Sequence, residues 1–417
     1  MSAVTQSERR AAGPLDFLSA TDRSNPYPSF AALREQGPVA LPEVGIVLGD
    51  HGMIAELLAD RRLSVERRKS RVYQRAVAAG MIPDPERELR QASFLSLDPP
   101  DHTRLRGLVS KAFTRKVVAN LEGEIEAITT RLLDAARDRG GDMEVVEDLA
   151  YPLPVAVICA LMGVPPEDHA EFAGWSKVLA SSLDPSFGET DLSQAELALK
   201  AGDEFRAYFR TLFAARRQNP GDDLVSGLVR VEEDGQTLTE DELLSTCILL
   251  LVAGHETTVS LIGNAVQALL TQDQWDLLVE DPSLAGATAE ETLRWDPPVQ
   301  MTGRTATEQM EVGGLAVGPG EVIMMIIGAA NRDPKVFTDP DRFDVLRTPE
   351  QGANKHLAFG GGVHFCLGAP LARLEASVAL REITRRVASP TLGAVSYKPN
   401  MVLRGLERLP LSYAEMR

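Results

Sequence analysis

The chain has 417 residues, of which 44% are hydrophobic and 25% charged, the balance of a soluble globular protein with room for one large domain or two or three smaller ones. Its 60 acidic and 43 basic side chains leave a formal charge of −17, which argues against non-specific binding to nucleic acid or to an anionic membrane surface. The three cysteines, Cys159, Cys247 and Cys366, are odd in number and far apart, so they define no disulfide framework and suit a reducing cytoplasm.

Met1 to Gly13 is polar, mixed in charge and without an apolar run. A disordered tail is expected there, neither a signal peptide nor a membrane anchor, followed by a single domain over 14–417. A helical pattern over Phe30 to Gln36 precedes a strand-like Gly45-Ile46-Val47-Leu48. Arg61, Arg62, Arg67, Arg68, Lys69 and Arg71 then crowd together against one acid, Glu66. This is either a solvated face or an attractor for an anionic substrate or a carrier-bound acyl group.

Asp98-Pro99-Pro100-Asp101-His102-Thr103-Arg104-Leu105-Arg106 reads as a helix start, with His102 and Arg106 on one face. From about Arg104 to Gln218 the periodicity is mostly helical, as in Val117 to Leu132. Thr239, three residues before Glu242, forms a capping-box pattern that opens a helix from about Glu240 to Gln272.

The middle of that helix carries Ala253-Gly254-His255-Glu256-Thr257-Thr258 after an apolar run too short to cross a bilayer. A carboxylate and two hydroxyls are costly there without partners. Gly254 costs roughly 1 kcal/mol against alanine, and Thr257 can bond back to the carbonyl at 253 and bend the helix. The stretch is either a kink satisfied by its neighbours or a polar site where a bulge at Gly254 makes room for a ligand. Further on, Glu291 and Arg294 share a helix face. Strand character concentrates over Arg304 to Ile327, with turns at Gly313-Gly314 and Pro319-Gly320, and over Ser396 to Ser412.

The most informative segment is Phe359-Gly360-Gly361-Gly362-Val363-His364-Phe365-Cys366-Leu367-Gly368-Ala369-Pro370. A thiol between a glycine-rich loop and a helix start meets backbone N–H groups and the positive helix end, both of which lower a cysteine pKa. Such a thiolate suits an axial ligand of haem iron. Other uses remain: a small buried hydrophobe, a zinc site with His356 and His364, or a dinucleotide loop lacking the G-x-G-x-x-G spacing.

The pattern Phe-Gly-x-Gly-x-His-x-Cys-x-Gly resembles the haem-binding loop of the cytochrome P450 family, whose cysteine ligand favours O–O cleavage. The Glu256-Thr257 pair is similar to that family's acid–alcohol pair, and the likeness runs from about Asn25 to the C-terminus. It implies a mainly α fold, the family's helix-rich triangular prism with a small β-region. It implies haem b with Cys366 as the metal ligand. His102, Arg106, Arg304 and His364 would sit at the propionates, Phe359 beside the sulfur and Gly368 beside the loop. Glu291 and Arg294 would form a buried structural triad with Arg342.

The implied enzyme is a haem-thiolate monooxygenase, a cytoplasmic oxidoreductase that places one atom of O2 into a hydrophobic small molecule by hydroxylation or epoxidation. Glu256 and Thr257 would deliver protons, and a ferredoxin or flavodoxin would bring electrons, steered by Arg104, Lys111, Arg115 and Lys116. The substrate pocket is expected from residues 67–95 (Phe94 among them), from the loop near 180–192, and from Leu249, Val252, Ala253, Gln300, Met301, Thr302, Met401 and Val402. No nucleic acid or membrane anchor is expected. Alternatives on the same motifs are a peroxide-dependent peroxygenase, a haem-thiolate isomerase or dehydratase, and a non-catalytic haem-binding sensor.

Overall fold

The capping box at Thr239 forms: its hydroxyl accepts from the Glu242 N–H at 3.3 Å, and the Glu242 carboxylate accepts from the Thr239 N–H at 2.8 Å. The helix it opens runs Glu240–Thr271, 32 residues and so about 48 Å, enough to traverse the whole molecule. In the computed structural model, which describes residues 12–19, 23–82, 84–86, 92–181, 192–233 and 235–417, everything else is arranged around it. Alone among the described residues, this helix is long and apolar enough to cross a bilayer. Yet 67% of its most apolar window is buried by neighbouring helices, which is the signature of a core helix.

Four helices give that core its walls. Pro152–Met162 and His169–Ser181 pack on the central helix from one side, Ala285–Trp295 and Ala369–Arg386 from the other. The helix Leu192–Gln218 closes over His169–Ser181 with aromatic rings: Phe205 and Phe209 stack at 4.4 Å, and Phe172 lies 5.4 Å from Phe205. Apolar side chains from all these helices make one continuous cluster. A mainly α body with a small β-region is the observed architecture.

The β-region is a five-stranded sheet in the order Val39–Leu41, Gly45–Leu48, Val322–Ile326, Met301–Ala306, Leu63–Ser64. Its neighbours are antiparallel except that Gly45–Leu48 runs parallel to Val322–Ile326. Two smaller clusters flank it. One gathers Ile46, Leu48, Ile54 and Ile323; the other gathers Phe17, Phe30, Leu33, Met301 and Met401. A C-terminal hairpin, Ser396–Tyr397 with Leu406–Arg408, returns the chain to the central helix.

Glu375, on Ala369–Arg386, is an exception within the core. It is 2% exposed, one carboxyl oxygen meets no partner, and burial pushes its pKa up to about 8 against an ordinary 4.5. The folded chain therefore keeps a proton that the unfolded chain gives up. The stability this confers is complete below the unfolded value and is lost as pH rises through the folded one. Glu375→Gln should remove that loss, raising the urea midpoint near pH 8 by the equivalent of a few kcal/mol (roughly 3–5) and leaving it little changed near pH 4.

Candidate active site

Loop geometry at Cys366 follows from its glycines. Gly360 and Gly362 have φ of 70° and 62°, in the left-handed region. A Cβ on Gly362 would lie 2.5 Å from the Leu58 carbonyl oxygen, so only glycine allows the loop to press against residues 58–59. The Cys366 N–H donates to the Phe359 carbonyl at 2.9 Å, which closes the loop. Helix Ala369–Arg386 starts just beyond, with a proline in its first turn, where a missing N–H costs nothing.

The N–H groups of Gly368 and Ala369 bond toward the sulfur, and Arg106 and Arg373 add positive charge, as expected of a helix start. Burial outweighs all four, however, and pushes the Cys366 thiol up, not down. The expected lowering is corrected: the protein's own dipoles do not suffice to ionise this thiol. A bound metal ion would supply what they lack, because a coordinating thiol is deprotonated outright. Gly368 leaves the sulfur open: a Cβ there would approach Sγ to 3.9 Å. Phe359 packs beneath the Arg373 guanidinium at 4.6 Å.

His102, Arg106, Arg304 and His364 converge on a short supply of acceptors. His102 is buried with no protein partner on either ring nitrogen, and His364 Nδ1 is orphaned as well. Their rings stand 4.2 Å apart. The Arg106 guanidinium reaches the Phe365 carbonyl, and Arg304 Nη1 donates to Thr302 Oγ1 at 3.0 Å and the Gly303 carbonyl at 2.8 Å. Burial lowers the pKa of both arginines; burial and then the neighbouring His102 and Arg304 pull His364 down to about 4.

Asp98 is the acid felt by His102, His364 and Arg304. Its carboxylate is already engaged by Lys69 at 2.7 Å, the Val65 N–H at 2.9 Å and the Ser64 hydroxyl. Orphaned imidazoles and under-supplied guanidiniums make a cradle for a dianion such as the two propionates of a haem. The residues present fit that group.

On the central helix, Leu250, Ala253, Gly254 and Thr257 are half-covered at i, i+3, i+4 and i+7, beside the half-covered Ile248 and Leu249. They form one open stripe. Thr257 and Thr258 donate back to the carbonyls of Ala253 and Gly254 at 2.8 and 2.9 Å. The helix nonetheless runs unbroken, so the bulge expected at Gly254 is absent. The room comes from the missing side chain instead: a Cβ there would touch only Ile158, at 3.9 Å.

Glu256, 7% exposed, forms an ion pair with Lys398 of the C-terminal hairpin. His255 bonds Ser176 through Nδ1 at 2.8 Å and meets the Tyr151 ring edge-on at 4.7 Å. Burial, and then the Lys398 charge, draw His255 down to about 3, so it is neutral at working pH.

Other expected pocket residues are dispersed. Leu249 and Ala253 are half-buried and Val252 is buried beside the open stripe. Thr302 shares a strand face with Arg304. The Gln300 amide turns inward to the Pro297 carbonyl at 2.7 Å, and Met301 and Met401 sit in the apolar cluster with Phe17 and Phe30, with Val402 against it. Phe94 stands 6.4 Å from the His102 ring, on the propionate side. Most of the loop near 180–192 lies outside the described residues.

The triad expected at Glu291, Arg294 and Arg342 has a different third member. Glu291 and Arg294 are buried and bidentate at 2.7 and 2.8 Å, but the second guanidinium on Glu291 belongs to Arg347, at 3.1 Å. Arg342 points outward and only its carbonyl takes part, accepting from Arg294 and Arg347. The two arginines are five positions apart, and only the fold of the loop at 338–351 decides between them. Neighbouring Glu290 holds His356 at 3.1 Å and Arg373, which commits the histidine considered for zinc.

The family model for cytochrome P450 matches residues 278–389, which contain Glu291, Arg294, Arg347, the glycine loop and Cys366. Across 99% of its length the chain is 38% identical to the cytochrome P450 monooxygenase PikC of Streptomyces venezuelae, covering 98% of that protein. The chain belongs to the cytochrome P450 family.

Among solved structures, ligand-free CYP164A2 of Mycobacterium smegmatis superposes with a TM-score of 0.85 at 46% identity, over 95% of this chain and 98% of that one. P450BioI, solved in complex with hexadec-9Z-enoic acid ligated acyl carrier protein, gives 0.84 at 36% identity over 96% and 99%. This P450 is accordingly a monooxygenase whose cofactor is haem iron on a cysteine thiolate and whose substrates are O2 and a small molecule.

The basic crowd near the N-terminus looks different in this frame. Arg62 pairs with Asp60, Arg68 with Glu66, Lys69 with Asp98 and Arg71 with Glu321, while Arg67 lies 5.7 Å over Tyr73. Four of the six thus meet an acid, two of them (Lys69 and Arg71) across long sequence separations, so the solvated-face reading is the one its ion pairs support.

Proposed function

We propose that this P450 uses haem b and electrons from a ferredoxin or flavodoxin to hydroxylate or epoxidise a hydrophobic small molecule in the cytoplasm. The carrying observation is Glu256-Thr257 on a buried helix, with Thr257 on the open stripe and Glu256 turned to a cation at its flank. When bound, the haem supplies the oxygen-activating iron, with electron density pushed from the sulfur.

Cys366 would hold the iron; His102, Arg106, Arg304 and His364 would hold the propionates. Thr257, whose proton rests on the Ala253 carbonyl, keeps lone pairs for a water on the pocket side. Rotation of its hydroxyl passes a proton inward, and Glu256 replenishes it from the flank. Leu249, Val252, Ala253 and Thr302 offer a mostly apolar wall for the substrate. Phe365 and Val363, exposed beside the ligand loop, and the exposed Arg115 and Lys116 suit an acidic electron donor; Arg104 is already paired with Glu242. Similarity over 99% of the chain supports one domain over 14–417; most of the tail expected over 1–13 lies outside the described residues.

The test is oxygen and product accounting with a surrogate ferredoxin system. Glu256→Gln and Thr257→Val should each cut product formed per O2 by about tenfold or more, the missing oxygen appearing as peroxide. Unchanged coupling in both would remove the proton-delivery reading.

A further inference from the structure

We infer that Lys398 is a positioning residue for oxygen activation: it fixes the Glu256 carboxylate from the C-terminal hairpin, so proton delivery is set jointly by hairpin and helix. This rests on the role given to Glu256 above and extends it to a residue outside the central helix.

Burying a carboxylate as deeply as Glu256 is costly without a counter-charge. Its partner among the described residues is Lys398, 142 positions away. The other titratable groups at this face are Tyr151, whose phenol burial and then the Glu256 charge hold above its usual range, and the neutral His255. Neither supplies positive charge. Removing the lysine charge leaves this carboxyl uncompensated, and an uncompensated buried carboxyl favours its neutral form.

The lysine is held firmly. Its own N–H donates to the Gly405 carbonyl at 3.0 Å, at the base of the hairpin. Tyr397 and Gln267 exchange hydrogen bonds at 2.7 and 2.9 Å, which ties that base to the central helix three turns beyond Glu256. On the returning limb, Arg404 is gripped by Asp296 at 2.6 Å and by the Ser24 carbonyl at 2.8 Å. At the tip, the Val402 carbonyl accepts from the Gln300 N–H at 2.9 Å and Leu403 pairs with Val299.

The hairpin thus spans from the acid to the strand that carries Thr302 and Arg304. The Lys398 side chain is 22% exposed, so the pair also stands between solvent and the buried helix face.

Lys398→Met keeps the length and removes the charge. In this variant a protonated-carboxyl stretch should appear in the infrared difference spectrum and vanish in Lys398→Met combined with Glu256→Gln. Product per O2 should fall about tenfold, with the carbon monoxide spectrum of thiolate-bound haem retained, and Lys398→Arg should restore both readouts. If Lys398→Met takes up no haem, Lys398→Gln is read in the same way.

No new carboxyl band, or full coupling without the lysine charge, overturns the inference. Loss of coupling in Glu256→Gln alongside full coupling in Lys398→Met would defeat the lysine's role alone. Full coupling in both would defeat the acid's role as well.

Discussion

Arg347→Ala lowers the unfolding free energy by about 3–5 kcal/mol, while Arg342→Ala changes it by less than about 0.5 kcal/mol. The asymmetry comes from burial. Arg347 is 4% exposed and its guanidinium bonds Glu291 together with the carbonyls of Thr338 at 2.6 Å and Gln351 at 3.2 Å. Removing it strands part of the Glu291 charge and several carbonyls in a buried site. Arg342 is 65% exposed and stands 3.8 Å from Asp344, a pair worth little in water. Urea midpoints of the two variants decide the matter. Because the loop at 338–351 leads into the Cys366 segment, the Arg347 variant should also retain less haem per polypeptide after purification. Equal midpoints for the two variants would return the triad to Arg342.

Cys366→Ser abolishes monooxygenation, by at least about 10³-fold or roughly 4 kcal/mol of barrier. The reduced variant with carbon monoxide should lack the long-wavelength Soret band of thiolate-bound haem. Neither remaining cysteine can stand in for it. Burial in apolar surroundings pushes Cys159 up to about 12 and Cys247 higher still, on helices of the core. Cys159→Ala should accordingly keep the band. A thiolate spectrum surviving in Cys366→Ser would place the ligand elsewhere and undo the assignment of the site.

The two outcomes differ in what made them legible. Cys366 stands in a segment where turn, ligand and helix start are consecutive, so its chemistry is local and reads off the chain directly. The capping box at Thr239 and the back-bond from Thr257 are local for the same reason: their donors and acceptors lie three or four residues apart. Strand turns at Gly313-Gly314 and the apolar run of the central helix belong with them.

Where partners come from distant segments, the sequence is silent. Arg342 and Arg347 are equivalent in composition and spacing, and the fold of one loop turns one inward and the other to solvent. Lys398 reaches Glu256 across 142 residues and leaves no periodic trace. The basic crowd at 61–71 is unbalanced along the chain, and Lys69 and Arg71 find their acids, Asp98 and Glu321, only in space. The thiol of Cys366 was expected low from its helix start, yet desolvation, which depends on everything packed around it, wins. Hydrogen bonds and turns act over a few residues and are written in order; burial and Coulomb energy depend on which surfaces the folded chain brings together. The sequence by itself therefore determined the family and pointed to Cys366 and the Glu256-Thr257 pair, and the tertiary structure alone decided their counter-charges.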